Sequence, residues 1–124
     1  QTIFEQIERI MPKTTLIYME DNKMKGEFNL EKKSYIVGRE PQGDNVIQVN
    51  DPYVGRDHFK IEYFNGHYLV EDNKSMNGTW IYNKNEEEFD RLEIGEKYQL
   101  MDKDIIRLGL QMTILIFKEK SNIN

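Results

Sequence analysis

His58–Asp72, HFKIEYFNGHYLVED, decides the fold class. Both halves alternate apolar and polar side chains, the period-2 pattern of a half-buried strand. Between the halves stands Asn65-Gly66. Both central residues of a type I′ turn need positive φ, which Asn and Gly tolerate, so the stretch predicts a β-hairpin.

Working outward, the same kind of pattern recurs from Thr14 onward. TTLIYME, SYIVGR (34–39), VIQV (46–49), TWIY (79–82), KYQLM, DIIRLG and MTILIF read as short strands between turn residues, and GEFNL as a further short one. Strands this many, this short and this evenly spaced predict an all-β sandwich. Residues 1–12 read differently. Ile3, Phe4, Ile7, Ile10 and Met11 fall at helical spacing that stops at Pro12, which predicts a short amphipathic helix packed on the domain. The sandwich is expected over 13–119, with a frayed polar tail over 120–124 in the terminal KEKSNIN. Glu86, Glu87 and Glu88 read as a solvated loop tip.

The 124 residues suit one domain, and 38% apolar against 31% charged residues suits a globular chain with its own core. There is no cysteine, which excludes disulfides, thiolate zinc sites and cysteine nucleophiles. No apolar run reaches the roughly 20 residues of a membrane helix, and the acidic N-terminal stretch is no secretory signal. These features predict an intracellular protein, in cytoplasm or nucleus, with no membrane partner. The chain opens on Gln1, as a piece of a larger multidomain protein would. Net charge is −5 with scattered Lys and Arg, which argues against nucleic acid as a partner but permits a local basic pocket.

Three short motifs follow in order. Gly38-Arg39 comes directly after the apolar Ser34–Val37 run; Gly55-Arg56-Asp57-His58 leads into Phe59–Phe64; Ser75-Met76-Asn77-Gly78-Thr79 leads into Trp80–Tyr82. All three fall at strand ends or in loops, and a sandwich gathers such ends at its rims. An Arg there offers a planar fork of donors suited to phosphate. An Asn offers an acceptor and two donors on one side chain, enough to hold a peptide backbone in register. Few cations with directional donors suit one phosphate on a peptide better than a polyanion.

The sequence YIVGR, then GRDH, then DNKSMNGTW, then LMDKDIIRLG resembles the forkhead-associated (FHA) domain family over roughly residues 33–118. Each piece alone is common, whereas their order, spacing and strand context are specific. The resemblance implies an 11-stranded β-sandwich that binds a phosphothreonine-containing protein or peptide through loops at one rim. By the same resemblance Arg39 grips the phosphate, Arg56 supports it or its loop, and Asn77 holds the peptide backbone. Gly55 stands where the family usually has a Ser, and Met76 where many members have a polar residue near the phosphothreonine. Tyr53 lies where members select a flanking peptide residue. Gly38, His58, Ser75, Gly78 and Thr79 would support the loops. Lys74 sits in the loop that holds Asn77 and would add positive potential.

The rival reading is a phosphate-independent scaffold or oligomerisation domain of the same fold, motivated by Gly55 and Met76, each lacking the usual polar contact. Catalysis finds no footing. The two histidines form no metal set with carboxylates, no Gly-rich phosphate loop is present, and no cofactor is implied.

Overall fold

The alternation in residues 59–72 folds as β5 (Phe59–Phe64) paired antiparallel with β6 (His67–Asp72) in a computed structural model. Asn65 and Gly66 both take positive φ, 50° and 81°, and Phe64 pairs with His67 across them. The structure describes residues 2–3, 5–6, 13–110 and 113–120. The helix expected over 3–11 falls largely outside them.

The other described strands are β1 (Lys13–Glu20), β2 (Lys23–Asn29), β3 (Tyr35–Gly38), β4 (Val46–Gln48), β7 (Thr79–Asn83), β8 (Glu88–Arg91), β9 (Tyr98–Gln99), β10 (Ile105–Leu108) and β11 (Thr113–Lys120). They form two sheets. One is ordered β2-β1-β11-β10-β7-β8 and the other β4-β3-β5-β6-β9. The eleven described strands make the all-β sandwich that the alternation predicts.

Two local expectations need correction. The second strand is longer than GEFNL, because Asp21 and Asn22 adopt φ of 51° and 64° and close a two-residue hairpin that pairs Glu20 with Lys23. At the C-terminus, Lys120 continues the strand through Lys118 and Glu119 and is not part of a frayed tail. β11 runs in unbroken register with β1 from Glu20–Thr113 to Lys13–Lys120, so ladder hydrogen bonds order a stretch whose side chains are polar. Residues 121–124 lie outside the described part.

The core lies between the sheets. Val37, Phe59, Ile61 and Val70 from one face meet Leu16, Ile106, Leu108, Leu115 and Phe117 from the other, all essentially without solvent exposure. Each such side chain contributes about 1.5–3 kcal/mol by burial. Tyr68 enters this core beside Phe117 and donates its hydroxyl to Glu31 O at 2.7 Å. Burial pushes its phenol up to about 12. This frame holds three connections that carry the motifs: the exit of β3, the β4–β5 loop and the β6–β7 loop.

Candidate functional site

The β4–β5 loop is fastened before any ligand is considered. Asn50 N donates to the Tyr18 hydroxyl at 3.2 Å. The Asp51 carboxylate accepts from Tyr53 N at 2.8 Å and from Thr113 Oγ1 at 2.7 Å. The exit of β3 then runs against the end of this loop. Arg39 N donates to Gly55 O at 2.9 Å and Glu40 N to Arg56 O at 3.3 Å. Only glycine permits that approach at position 38, since a Cβ there would lie 1.9 Å from Arg56 O.

His58 joins two loops from below. It is fully buried. Its Nδ1 accepts Gly55 N–H at 2.8 Å, so the ring proton resides on Nε2, which donates to Gly78 O at 2.8 Å. Burial holds the imidazole below its ordinary value of 6.5, although the Gly78 carbonyl and Asp72 act the other way. The Gly55 N–H that the sequence offers as a donor is therefore already engaged. Arg56 N–H, one residue on, has no protein acceptor among the described residues.

The β6–β7 loop is built on Asp72. Its carboxylate accepts from Ser75 Oγ at 2.5 Å, Ser75 N at 2.9 Å and Thr79 Oγ1 at 2.7 Å, and Ser75 Oγ accepts Gly78 N–H at 3.0 Å. Gly78 takes φ +87°, and a Cβ there would meet Arg91 Nε at 2.6 Å. Trp80 Nε1 donates to Asn77 O at 2.9 Å, and Arg91 donates to Ser75 O and Met76 O at 3.4 and 3.3 Å. Asn73 Nδ2 ties the loop to Asp57 O at 2.9 Å.

These supports bring Arg39 and Asn77 to one short stretch of chain. Arg39 Nε donates to Val54 O at 3.1 Å, and Asn77 Nδ2 donates to Tyr53 O at 2.7 Å. One terminal guanidinium nitrogen of Arg39 donates to Glu40 Oε1 at 3.4 Å, which leaves its other terminal nitrogen and the amide oxygen of Asn77 facing the rim. Glu40 occupies part of that field, with its carboxylate 3.4 Å from Arg39 and 3.8 Å from Arg56. Arg56 is mostly solvated, Tyr53 is exposed, and Met76 is 90% exposed at the loop tip. Lys74 takes φ 53° and lines a different cleft of about 340 Å³ with Ile36, Gln42, Asp57 and Ile94. Gly55 has room, since a Cβ there would lie no closer than 3.4 Å to any neighbour.

Sequence reasoning passed over Glu40, Arg91 and the role of Asp72. Asp72 was visible as the acid three residues before Ser75; Arg91 carries no local signal, because only the β7–β8 pairing brings it under the loop. Among the described residues Glu86, Glu88 and Asp90 place carboxylate oxygens within 4.8 Å of one another, all exposed at the β7–β8 hairpin. The neighbouring Glu86 raises the Glu88 carboxyl.

The FHA domain family model matches residues 35–109, from the first residue of β3 to just past β10. The chain belongs to the FHA domain family. Solved FHA structures agree with its fold. One, of the FhaA FHA domain complexed with the intracellular domain of Rv3910, is 28% identical with a TM-score of 0.64, covering 85% of this chain and 99% of the other. A second, from work on phosphothreonine-dependent FHA domain interactions, is 28% identical with a TM-score of 0.66, covering 86% and 95%. The FHA domain of the CT664 protein from Chlamydia trachomatis is 27% identical with a TM-score of 0.68, covering 86% and 96%. No curated protein matches this FHA domain by sequence.

Proposed function

We propose that this FHA domain is a non-catalytic module that recognises a phosphothreonine-containing segment of a partner protein. The carrying observation is the grip of Arg39 and Asn77 on the adjacent carbonyls of Val54 and Tyr53. That grip aims a guanidinium edge and an amide at the same stretch of rim. A phosphate carries about −1.5 to −2 charges at neutral pH and three acceptor oxygens, so phosphorylation itself switches binding on. In this reading Arg39 takes the phosphate through its terminal nitrogens, with Arg56 and its backbone N–H beside it. Asn77 holds the peptide main chain, and exposed Tyr53 and Met76 touch the flanking residues. Kinship supports the reading, since an FHA structure 28% identical to this chain comes from work on phosphothreonine-dependent interactions.

An oriented phosphothreonine peptide library supplies the ligand, and calorimetry with matched phosphorylated and unphosphorylated peptides tests the reading. The phosphorylated form binds and the unphosphorylated form does not; Arg39→Ala abolishes measurable binding while the domain stays folded. Equal affinity for the two forms would move the domain to the scaffold reading, and undiminished binding by the Arg39 variant would put the site elsewhere.

A further inference from the structure

An antiparallel sheet with one face on the core commonly turns polar side chains outward. The outer face of the six-stranded sheet here carries Glu27, Lys118, Arg107 and Arg91, but between them lies a broad apolar stretch. Met19, Ile114, Arg107, Trp80 and Arg91 stand opposite one another in a single cross-strand row. Beside them Ile17, Ile116 and Ile105 share the next row, and Tyr82 packs against Phe89 at 5.2 Å. These side chains lie on the side of the six-stranded sheet away from the core, and all but the exposed Arg91 are half-buried.

Arg107 sits in the middle of this surface. Its guanidinium carbon lies 4.7 Å from the ring centroids of both Trp80 and Phe89. Its Nε is buried with no hydrogen-bond partner, and no carboxylate pairs with it among the described residues. A buried polar group left without a partner is destabilising, and more so when it is charged. A cation stacked on aromatics inside an apolar surface has the composition of an interface anchor, where Trp, Tyr and Arg dominate. Its complement is a carboxylate within an apolar segment. A second copy of the chain is a poor complement, because a two-fold interface sets the same patch against itself and brings like guanidinium groups together.

This face is also continuous with the rim. Trp80, in the Arg107 row, donates its indole N–H to Asn77 O, and Arg91, at the end of that row, holds the carbonyls of Ser75 and Met76. A chain leaving the rim across Met76 passes directly onto the outer sheet. We infer that this face is a second docking surface for the same phosphorylated partner, receiving an apolar segment whose carboxylate meets Arg107. The identity of the occupant rests on the phosphothreonine reading of the rim.

The test uses the whole chain and a display library of short unphosphorylated peptides. Selected peptides are apolar with an Asp or Glu, and both Arg107→Met and Ile116→Asn weaken them about tenfold or more. Joined by a flexible linker to the library-derived phosphothreonine peptide, a selected peptide raises its affinity about a hundredfold. Selection of peptides without a carboxylate, or insensitivity to both variants, overturns the docking surface. So does a dimer in sedimentation equilibrium that Ile116→Asn dissolves, which would make a second copy the occupant. No gain on tethering overturns the shared partner. Failure of the rim reading shows separately: the phosphothreonine peptide alone does not bind while the unphosphorylated peptides still do, and that result overturns the shared-partner assignment through the rim rather than through the face.

Discussion

Arg39 and Asn77, 38 positions apart in the sequence, hold neighbouring carbonyls of one loop: Arg39 Nε reaches Val54 O at 3.1 Å and Asn77 Nδ2 reaches Tyr53 O at 2.7 Å. Each side chain is thereby oriented before a ligand arrives, which lowers the entropic cost of binding. In the proposed role Arg39 both holds Val54 O and takes the phosphate, so a lysine, with no planar fork, cannot replace it in both. Arg39→Lys is expected to keep the fold and lose most of the affinity for the phosphothreonine peptide, read by calorimetry. Wild-type affinity in that variant would show that charge alone suffices.

Gly55 leaves space where a hydroxyl would fit. A Cβ there meets nothing closer than His58 Nδ1 at 3.4 Å, an ordinary contact. A hydrogen bond to a charged group contributes about 1.5–3 kcal/mol, so Gly55→Ser is expected to raise affinity for the phosphorylated peptide about tenfold. The unphosphorylated peptide should gain nothing. A weaker complex would mean that the Ser hydroxyl does not face the phosphate.

In the proposed complex Glu40 would compete with the phosphate for the same cations. Its carboxylate lies 3.4 Å from Arg39 and 3.8 Å from Arg56. The groups are partly solvated, and such pairs contribute at most about 1 kcal/mol. Glu40→Gln is therefore expected to tighten phosphopeptide binding only about threefold, with a slower dissociation rate in surface plasmon resonance. A loss of affinity would assign Glu40 to the peptide rather than to the arginines.

His58 makes stability depend on pH. Burial depresses its folded pKa below 6.5, so at higher pH it is neutral in both states and its contribution is fully present. As pH falls below 6.5 the unfolded chain takes up a proton that the folded chain resists, and stability falls until the folded pKa is passed. Urea midpoints measured between pH 8 and pH 5 should show this decline. His58→Gln, which can still accept from Gly55 and donate to Gly78, should flatten that part of the curve. A decline unchanged in the variant would assign it to other groups.

Gly78 cannot carry a side chain for two reasons. Its φ is +87°, and a Cβ would press on Arg91 Nε at 2.6 Å and Trp80 Nε1 at 2.9 Å. Left-handed backbone at a non-glycine residue costs about 1–3 kcal/mol before any clash. Gly78→Ala should cost about 2 kcal/mol of stability, read as a lowered thermal midpoint, and weaken phosphopeptide binding through Asn77. An unaltered midpoint would mean that the loop relaxes freely.

The sequence by itself determined the elements with a strong local period. Alternation around Asn65-Gly66 specifies the β5–β6 hairpin because side-chain direction and turn chirality are local properties. The Asp21-Asn22 hairpin was harder to read, since neither residue is glycine and its strands carry a weaker alternation. The terminal strand through Lys120 was obscured by its charged side chains, and only pairing with β1 orders it. Motif order likewise marked Gly38-Arg39, GRDH and SMNGT as rim residues. What the tertiary structure alone decided is how the chemistry there is already committed. Gly55 N–H belongs to His58, Arg39 Nε to Val54, and the Asn77 loop to Trp80 and Arg91 from another strand. A hydrogen bond or a stacked cation between distant residues depends on the separation of atoms in space, and spacing along the chain does not encode it. The same holds for the outer face of the six-stranded sheet, where residues ordinary in their own strands become one apolar surface only when five strands lie side by side.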